Sequence, residues 1–241
     1  FFVFSDYMKP AVRMAALMQV PVKFIWTHDA FRVGEDGPTH EPVEQEAQIR
    51  LMEKLKNHSG KDSVRVFRPA DADETTVCWK LAMENTATPT ALILSRQGIA
   101  KLPAGNDYEQ AAKGAYIVEG SDENPDVILV ASGSEVSTLV SGCEALRKEG
   151  IKVRIVSAPS EGLFRTQNKE YQEAILPYGI KKFGMTAGLP VTLEGLVGIG
   201  PNSKIFGLSS FGFSAPYKVL DEKLGYTGEN VYKQVKAFLA E

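Results

Sequence analysis

The sequence contains few of the residues that build disulfides and metal sites. Only two cysteines, Cys78 and Cys143, and three histidines occur among its 241 residues. The cysteines are far apart in the sequence and form no CxxC pair, which excludes a zinc ribbon and a disulfide framework. We therefore expect two reduced thiols in the core of a cytoplasmic protein.

Long hydrophobic runs and blocks of like charge are also missing. No stretch approaches the ~20 apolar residues of a membrane-spanning helix, and the apolar start at 1–4 is too short for a signal peptide. Lys and Arg number 27 against 30 Asp and Glu, which gives a formal net charge of −3. This balance predicts neither a membrane nor nucleic acid as a partner, although a local cationic pocket for phosphate is compatible with it.

What the sequence does contain is an alternation of predicted strands and helices. The predicted strands are 22–26, 64–67, 90–94, 115–118, 126–131, 152–156, 182–185 and 204–208. The predicted helices are 11–19, 44–56, 71–84, 134–149, 169–176 and 230–240. Strand–helix–strand order requires crossovers and favours parallel sheets. We predict an α/β fold with two consecutive domains at 1–105 and 125–241, each a mostly parallel sheet flanked by helices, and a linker at 106–124.

Residues 27–45, THDAFRVGEDGPTHEPVEQ, concentrate groups that exchange protons near neutral pH. They include His28, His40 and Asp36, and the glycines and prolines among them exclude a regular helix or strand. The segment follows the apolar run 22–26, which we expect to be a buried parallel strand, so it has the position of an active-site loop. The histidine spacing matches no zinc motif, and a structural role for each histidine is the alternative.

An aromatic repeat and one arginine outside this loop are further candidates for a binding site. Phe1, Phe4 and Tyr7 recur at the spacing of one helix face, which by itself favours packing in a core. Arg96 follows the predicted strand 90–94, and the carboxyl end of such a strand borders the crevice where ligands bind in parallel sheets. A guanidinium group suits phosphate oxygens, whereas an ordinary surface ion pair is the alternative for Arg96.

Several ordered motifs resemble those of one enzyme family. THD at 27–29 followed by GEDGPTHEPVEQ at 34–45 is similar to the substrate loop of transketolases, which use thiamine diphosphate to move a two-carbon ketol unit between sugar phosphates. Further matches follow in family order: FFVFSDYMKPAVRMAALM, FRPADADE, PTALILSRQ, DVILVASGSEVSTLV and FGFSAP. The resemblance implies a transketolase of the pentose phosphate pathway, with part of the pyrimidine-binding domain at 1–105 and the family's C-terminal domain at 125–241.

The resemblance also implies roles for four polar residues. His40 would exchange protons with substrate oxygens at the reacting centre, a task that suits imidazole. Asp36 would accept a hydrogen bond from a sugar hydroxyl beside the cleaved bond. His28 and Arg96 would bind the terminal phosphate and so fix its distance from the carbonyl group.

For the cofactor, the resemblance implies that Phe4 stacks on the aminopyrimidine ring of thiamine diphosphate, with Phe1 and Tyr7 lining the pocket. The family's activating glutamate, its diphosphate-binding domain and its magnesium ligands would lie upstream of Phe1. We therefore expect a fragment that provides no metal ligand and is inactive alone. We also expect a homodimer with active sites between subunits and sugar phosphates as substrates.

Two alternatives stand beside transketolase activity. One is a related thiamine diphosphate enzyme, such as a dihydroxyacetone synthase or a deoxyxylulose-phosphate synthase, although His28 and His40 together favour transketolase. The other is a non-catalytic assembly fragment. The chain departs from the family in a polar turn at 57–63, where His58 has no assigned role, and at Phe213 in FGFSAP, where the family often has an acidic residue. The Phe213 exchange argues against a functional role for that segment.

Overall fold

A computed structural model describes residues 1–120 and 124–241. Its strands are β1 (Lys23–Trp26), β2 (Arg65–Phe67), β3 (Thr90–Ile93), β4 (Tyr116–Gly120), β5 (Val127–Ala131), β6 (Val153–Ser157), β7 (Lys181–Met185) and β8 (Ser203–Phe206). Its α-helices are α1 (Ser5–Met18), α2 (Gln45–Glu53), α3 (Ala72–Glu84), α4 (Glu135–Lys148), α5 (Glu161–Arg165), α6 (Lys169–Ile175), α7 (Glu194–Val197), α8 (Tyr217–Leu224) and α9 (Gly228–Ala240). Short 3-10 helices lie at Phe2–Phe4, Phe31–Val33, Gly105–Lys113 and Pro190–Leu193.

The strands form two sheets. The first has the order β1-β3-β2 and is entirely parallel. The second has the order β4-β6-β5-β7-β8, in which only the β4–β6 pair is antiparallel. Helices α4 and α9 pack together beside the second sheet. The predicted fold class, two mostly parallel sheets flanked by helices, is therefore confirmed.

The range 106–124, predicted as a linker, contains most of a 3-10 helix and all of β4. β4 pairs with β6 at one edge of the second sheet, and Tyr116 is completely buried. Residues 121–123 of the predicted linker lie outside the described residues. In the described part, the chain thus enters the second sheet at Tyr116.

β1 lies at the edge of the first sheet, and only one of its faces is buried. Phe24 and Trp26 point to the core, where their rings stack with centroids 5.8 Å apart and Phe2 packs on Trp26. Ile25 is 45% exposed, because successive side chains of a strand point to opposite faces. The prediction of a buried strand at 22–26 was therefore wrong for one face.

Two helix starts differ from the sequence-based expectation. α1 begins at Ser5, six residues before the predicted start, so Pro10 lies inside the helix and removes one main-chain hydrogen bond. α4 begins at Glu135, one residue after the predicted start, and the side chain of Ser134 does not cap it. Its hydroxyl instead accepts a hydrogen bond from Arg32 and donates one to Glu135. Ser134 thus occupies the N-cap position, but its hydroxyl group binds a residue of the first domain and not the main-chain N–H groups of α4.

Both cysteines are free and buried, as expected. Cys78 packs beside Phe67 and Leu92 in the first domain, and Cys143 lies in the main core of the second. Burial raises the pKa of the Cys143 thiol to about 12. Both therefore behave as small apolar core residues.

Candidate active site

The loop at 27–45 leaves the carboxyl end of β1, and its start is anchored by a buried carboxylate. Asp29 is buried, and its Oδ2 accepts hydrogen bonds from Arg68 Nε at 3.0 Å and Nη2 at 2.7 Å. The preceding residue, His28, has a left-handed backbone with φ of +62°, which is uncommon outside glycine. The Asp29 anchor holds His28 in this conformation.

The structure brings both loop histidines against the N-terminal aromatic rings. The ring centroid of Phe1 lies 4.0 Å from that of His28 and 5.5 Å from that of His40. The ring of Phe4 lies 5.3 Å from His40 and 6.0 Å from Tyr7. These residues, predicted separately from the sequence, form one aromatic cluster.

The aromatic residues at 1, 4 and 7 do not form a core face. Phe1 is 41% exposed, Phe4 37% and Tyr7 81%, whereas Phe2 is completely buried. The alternative of core packing is therefore wrong for these side chains, and Phe2 fills the core instead. Exposed rings beside two imidazoles can stack on a flat ligand, which contributes about 0.5–1.5 kcal/mol beyond area burial.

Each histidine of the cluster forms a hydrogen bond with the threonine before it. His28 Nδ1 lies 2.9 Å from Thr27 Oγ1, and His40 Nδ1 lies 2.8 Å from Thr39 Oγ1. A hydroxyl group can donate or accept, so these contacts orient the rings without fixing the tautomer. In the described residues Nε2 of each ring has no hydrogen-bond partner, so this nitrogen is the one that can meet a ligand.

Asp36 and Arg96 lie close enough to His28 to change its pKa. Partial burial is the largest influence and lowers the pKa of His28, the charge of Arg96 lowers it further, and Asp36 and Asp29 raise it. Asp36 and Arg96 are both exposed. Within the described residues Arg96 forms no ion pair, so the surface ion pair considered above is not formed there. The predicted polar residues therefore gather beside the aromatic cluster.

Two protein families match the two parts of this chain. Residues 1–101 match the family described as transketolase, pyrimidine binding domain, and residues 114–227 match the transketolase-like C-terminal domain. The chain belongs to the transketolase family. The resemblance drawn from the sequence motifs is thus confirmed.

Curated relatives named transketolase match almost the whole chain. That of Halalkalibacterium halodurans is 44% identical over 99% of this chain and 35% of its own length. That of Geobacillus stearothermophilus is 43% identical over 100% of this chain and 35% of its own length. The chain therefore spans about a third of the length of these relatives.

Solved transketolase structures share the fold. The transketolase of Leishmania mexicana gives a TM-score of 0.87 at 37% identity, over 100% of this chain and 33% of that one. A Pichia stipitis transketolase in complex with sedoheptulose-7-phosphate gives 0.87 at 34% identity, over 100% and 33%. A chain described as a split gene transketolase, inactive beta4 tetramer, gives 0.73 at 23% identity, over 100% and 75%, which shows the fold alone.

Sequence reasoning missed a buried ionic contact between the two domains. Arg68 is 1% exposed and binds Asp29 of the loop and Glu135 of α4. Arg32 also binds Glu135, at 3.0 Å, and Asp221 at 2.7 Å. Burial alone would raise the pKa of Glu135, but the two arginines together lower it. The only signal in the sequence was the position of Arg68 within the family motif FRPADADE.

A second contact joins the loop to FGFSAP, residues 211–216 of the second domain. Ser214 Oγ donates a hydrogen bond of 2.6 Å to the carbonyl of Glu35. A Cβ at Gly37, which has φ of +73°, would lie 3.1 Å from Ser214 Cβ. Phe213, the exchanged residue that argued against a role for this segment, is 58% exposed. The contacts of Ser214 and Gly37 lie beside it, and the exchange gave no sign of them.

The described residues contain neither a membrane-spanning helix nor a metal-binding cluster. No helix among them is long and apolar enough to cross a membrane. Residues 1–120 and 124–241 also contain no group of three or more His, Cys, Asp or Glu side chains that could hold a metal ion. The exposed aromatic rings of this cluster are side chains that could stack on a flat heterocycle.

Proposed function

We propose that this chain forms the part of a transketolase that binds the sugar substrate and the pyrimidine ring of thiamine diphosphate. The observation that carries the proposal is the contact of Phe1 and Phe4 with His28 and His40, in a chain of this family. The complete enzyme would move a two-carbon ketol unit from a ketose phosphate to an aldose phosphate. The cofactor, when bound, supplies the electron sink for carbon–carbon bond cleavage.

The chain's own residues bind, orient and exchange protons. The exposed rings of Phe4, Phe1 and Tyr7 hold the heterocycle, with Phe4 as the stacking residue. His40 Nε2 holds or returns a proton at the substrate oxygens, because its ring is already oriented through Nδ1 by Thr39. Asp36 accepts a hydrogen bond from a sugar hydroxyl.

His28 and Arg96 bind the phosphate at the far end of the sugar. Both lie at the carboxyl edge of the first sheet, and Arg96 acts on the pKa of His28, which supports a shared site. A guanidinium group binds phosphate through paired hydrogen bonds. Fixing the phosphate fixes the carbonyl group relative to His40.

We also propose that another segment provides the diphosphate-binding domain, the activating glutamate and the magnesium ligands, and that this chain alone is inactive. The support is that it spans about a third of its relatives. A cytoplasmic homodimer with sites between subunits belongs to the same proposal, as does the division at 1–105 and 125–241. The dihydroxyacetone synthase and deoxyxylulose-phosphate synthase alternatives are not favoured, because the relatives that match the whole chain are named transketolase.

A ketol-transfer assay on the natural gene product tests the proposal. The protein is given thiamine diphosphate, Mg²⁺, xylulose 5-phosphate and ribose 5-phosphate, and its intact mass is measured in the same preparation. A product longer than 241 residues, or this chain with its partner chain, is expected to transfer the ketol unit. Absence of both transfer and cofactor binding from every such preparation would refute it and favour the non-catalytic assembly fragment.

Replacing Arg96 with Ala is expected to raise KM for a phosphorylated acceptor about 10–100-fold, because a hydrogen bond to a charged group contributes about 1.5–3 kcal/mol. KM for an unphosphorylated acceptor should change much less when the ketol donor also lacks phosphate. Lys80→Ala, which removes an exposed cation on α3, is the control and should change neither KM. Equal effects of Arg96→Ala on both acceptors would rule out phosphate binding by Arg96.

A further inference from the structure

Glu41, the residue after His40, is a buried carboxyl group that the proposed chemistry does not use. It is 2% exposed, and neither carboxyl oxygen has a hydrogen-bond partner of good geometry among the described residues. The main-chain N–H of Phe213 is the polar group that faces it. An ionised carboxylate without partners is costly to bury. The site therefore stabilises the neutral acid, and burial raises the pKa of Glu41 to about 7, against the smaller opposing effect of Phe213 N–H.

The Glu41 carboxyl group occupies the space where position 212 would carry a side chain. A Cβ added at Gly212 would lie 1.7 Å from Glu41 Oε2 and 2.8 Å from Glu41 Cδ. No residue larger than glycine fits there while Glu41 stays in place. The hydrogen bond from Ser214 to Glu35 holds the same two segments together a few residues away.

Two further contacts of this part of the loop with the second domain are made by uncharged groups. Leu189 N–H donates to the carbonyl of Val43 at 3.1 Å, and Gly188 packs against the same carbonyl. On its own loop, the titratable neighbour of Glu41 is His40. From the second domain, the main chain of Gly212 and the N–H of Phe213 face the carboxyl group. Ionisation of Glu41 would thus place an uncompensated charge between the loop and the second domain.

We propose that Glu41 is a positioning residue that fastens the His40 loop to residues 212–214 of the second domain and so fixes the place of the His40 ring. The catalytic consequence rests on the proposed function, whereas the fastening itself does not. The second domain then contributes to the reaction through the loop that it supports, although no histidine of the chain lies in it. Glu41 touches no ligand and acts through its neighbour.

The first test measures hydrogen exchange of residues 34–43 and ketol-transfer kinetics in the natural gene product. Glu41→Ala is expected to accelerate exchange in this loop at least about tenfold and to lower kcat about 10–100-fold with little change in KM, since small misplacements of reacting groups have effects of this size. At a pH below the raised pKa of about 7, where the Glu41 carboxyl group is neutral, Glu41→Gln keeps the volume and a neutral head group and should restore both. Glu35→Gln removes an exposed carboxylate from the same loop and should leave both at wild-type values.

The pH dependence separates positioning from simple packing. Because the pKa of Glu41 is raised in the folded protein, its contribution to loop stability is complete below about pH 4.5 and is lost as the pH rises through about 7. Loop exchange in the wild type should therefore rise relative to Glu41→Gln across this range. This readout decides the question even if Glu41→Ala fails to fold.

The second test uses the fit between Glu41 and Gly212. Gly212→Ala alone should open the loop, but in a Glu41→Ala background it should have almost no additional effect, because the space is then free. Equal effects of Gly212→Ala in both backgrounds, or unchanged exchange and kcat in Glu41→Ala, would overturn the inference. A wild type without ketol transfer, in which Glu41→Ala still opens the loop, would refute the proposed function and leave the fastening intact.

Discussion

Replacing His40 with Ala is expected to lower kcat/KM for ketol transfer by about 10²–10⁴-fold, the range of general acid–base catalysis. The ring is oriented by Thr39 through Nδ1 and stands beside Phe1 and Phe4, so Nε2 is free to exchange a proton with a bound sugar. Alanine removes that nitrogen and leaves the loop's glycines and prolines unchanged. The measurement is steady-state kinetics of the natural gene product with saturating cofactor.

The matched control for this variant is His58→Ala. His58 is exposed in the polar turn at 57–63 and has no contact with the aromatic cluster, so its removal should leave kcat/KM unchanged. Unfolding midpoints of both variants should stay near that of the wild type, which separates lost chemistry from lost folding. If His40→Ala retains activity within about threefold of wild type, His40 has no acid–base role.

Elements with a strong local pattern were predictable from the sequence. The predicted helix 134–149 differs from α4 by one residue at each end, and the predicted strand 126–131 differs from β5 by one residue at its start only, because apolar periodicity and turn residues agree there. α8 at Tyr217–Leu224 was missed, since it is short and carries only one fully buried residue, Leu220. Local sequence gives little signal for a helix that is stabilised by packing on another segment.

The functional character of the candidate loop was predictable, but the orientation of the aromatic side chains beside it was not. Glycine, proline and histidine content indicated a functional loop at 27–45, and the family motifs gave the roles. The spacing of Phe1, Phe4 and Tyr7 shows that they share a face, but it cannot show whether that face points to the core or to a ligand. Burial of Phe2 in their place decides this, and it depends on the position of Trp26 in the folded sheet.

The contacts between domains could not be predicted from one sequence. Arg68 binds Asp29 and Glu135, which are 39 and 67 residues away in the chain, and Arg32 binds Asp221 across 189 residues. Only the fold brings such residues together. Sequence patterns show which residues are charged, but not which charges are removed from water.

The buried carboxylates around Arg68 share one guanidinium group. Asp29 and Glu135 bind it directly, and Glu46 Oε2 lies 3.5 Å from its Nη1. Burial raises the pKa of Asp29 despite the attraction of Arg68, and the nearby charge of Glu135 raises it further. The guanidinium group is itself nearly inaccessible, at 1% exposure. Removing it would leave these carboxylates without their common counter-charge.

Arg68→Met is therefore expected to lower the free energy of unfolding by about 3–5 kcal/mol, the cost of leaving buried charges without a partner. Urea unfolding of the natural gene product measures the change. Adding Glu135→Gln should recover part of the loss, because it removes one of the orphaned charges. Lys101→Met breaks an exposed ion pair with Asp73 and should leave the midpoint nearly unchanged. If Arg68→Met were no more destabilising than Lys101→Met, the buried contact between the domains would contribute nothing to stability.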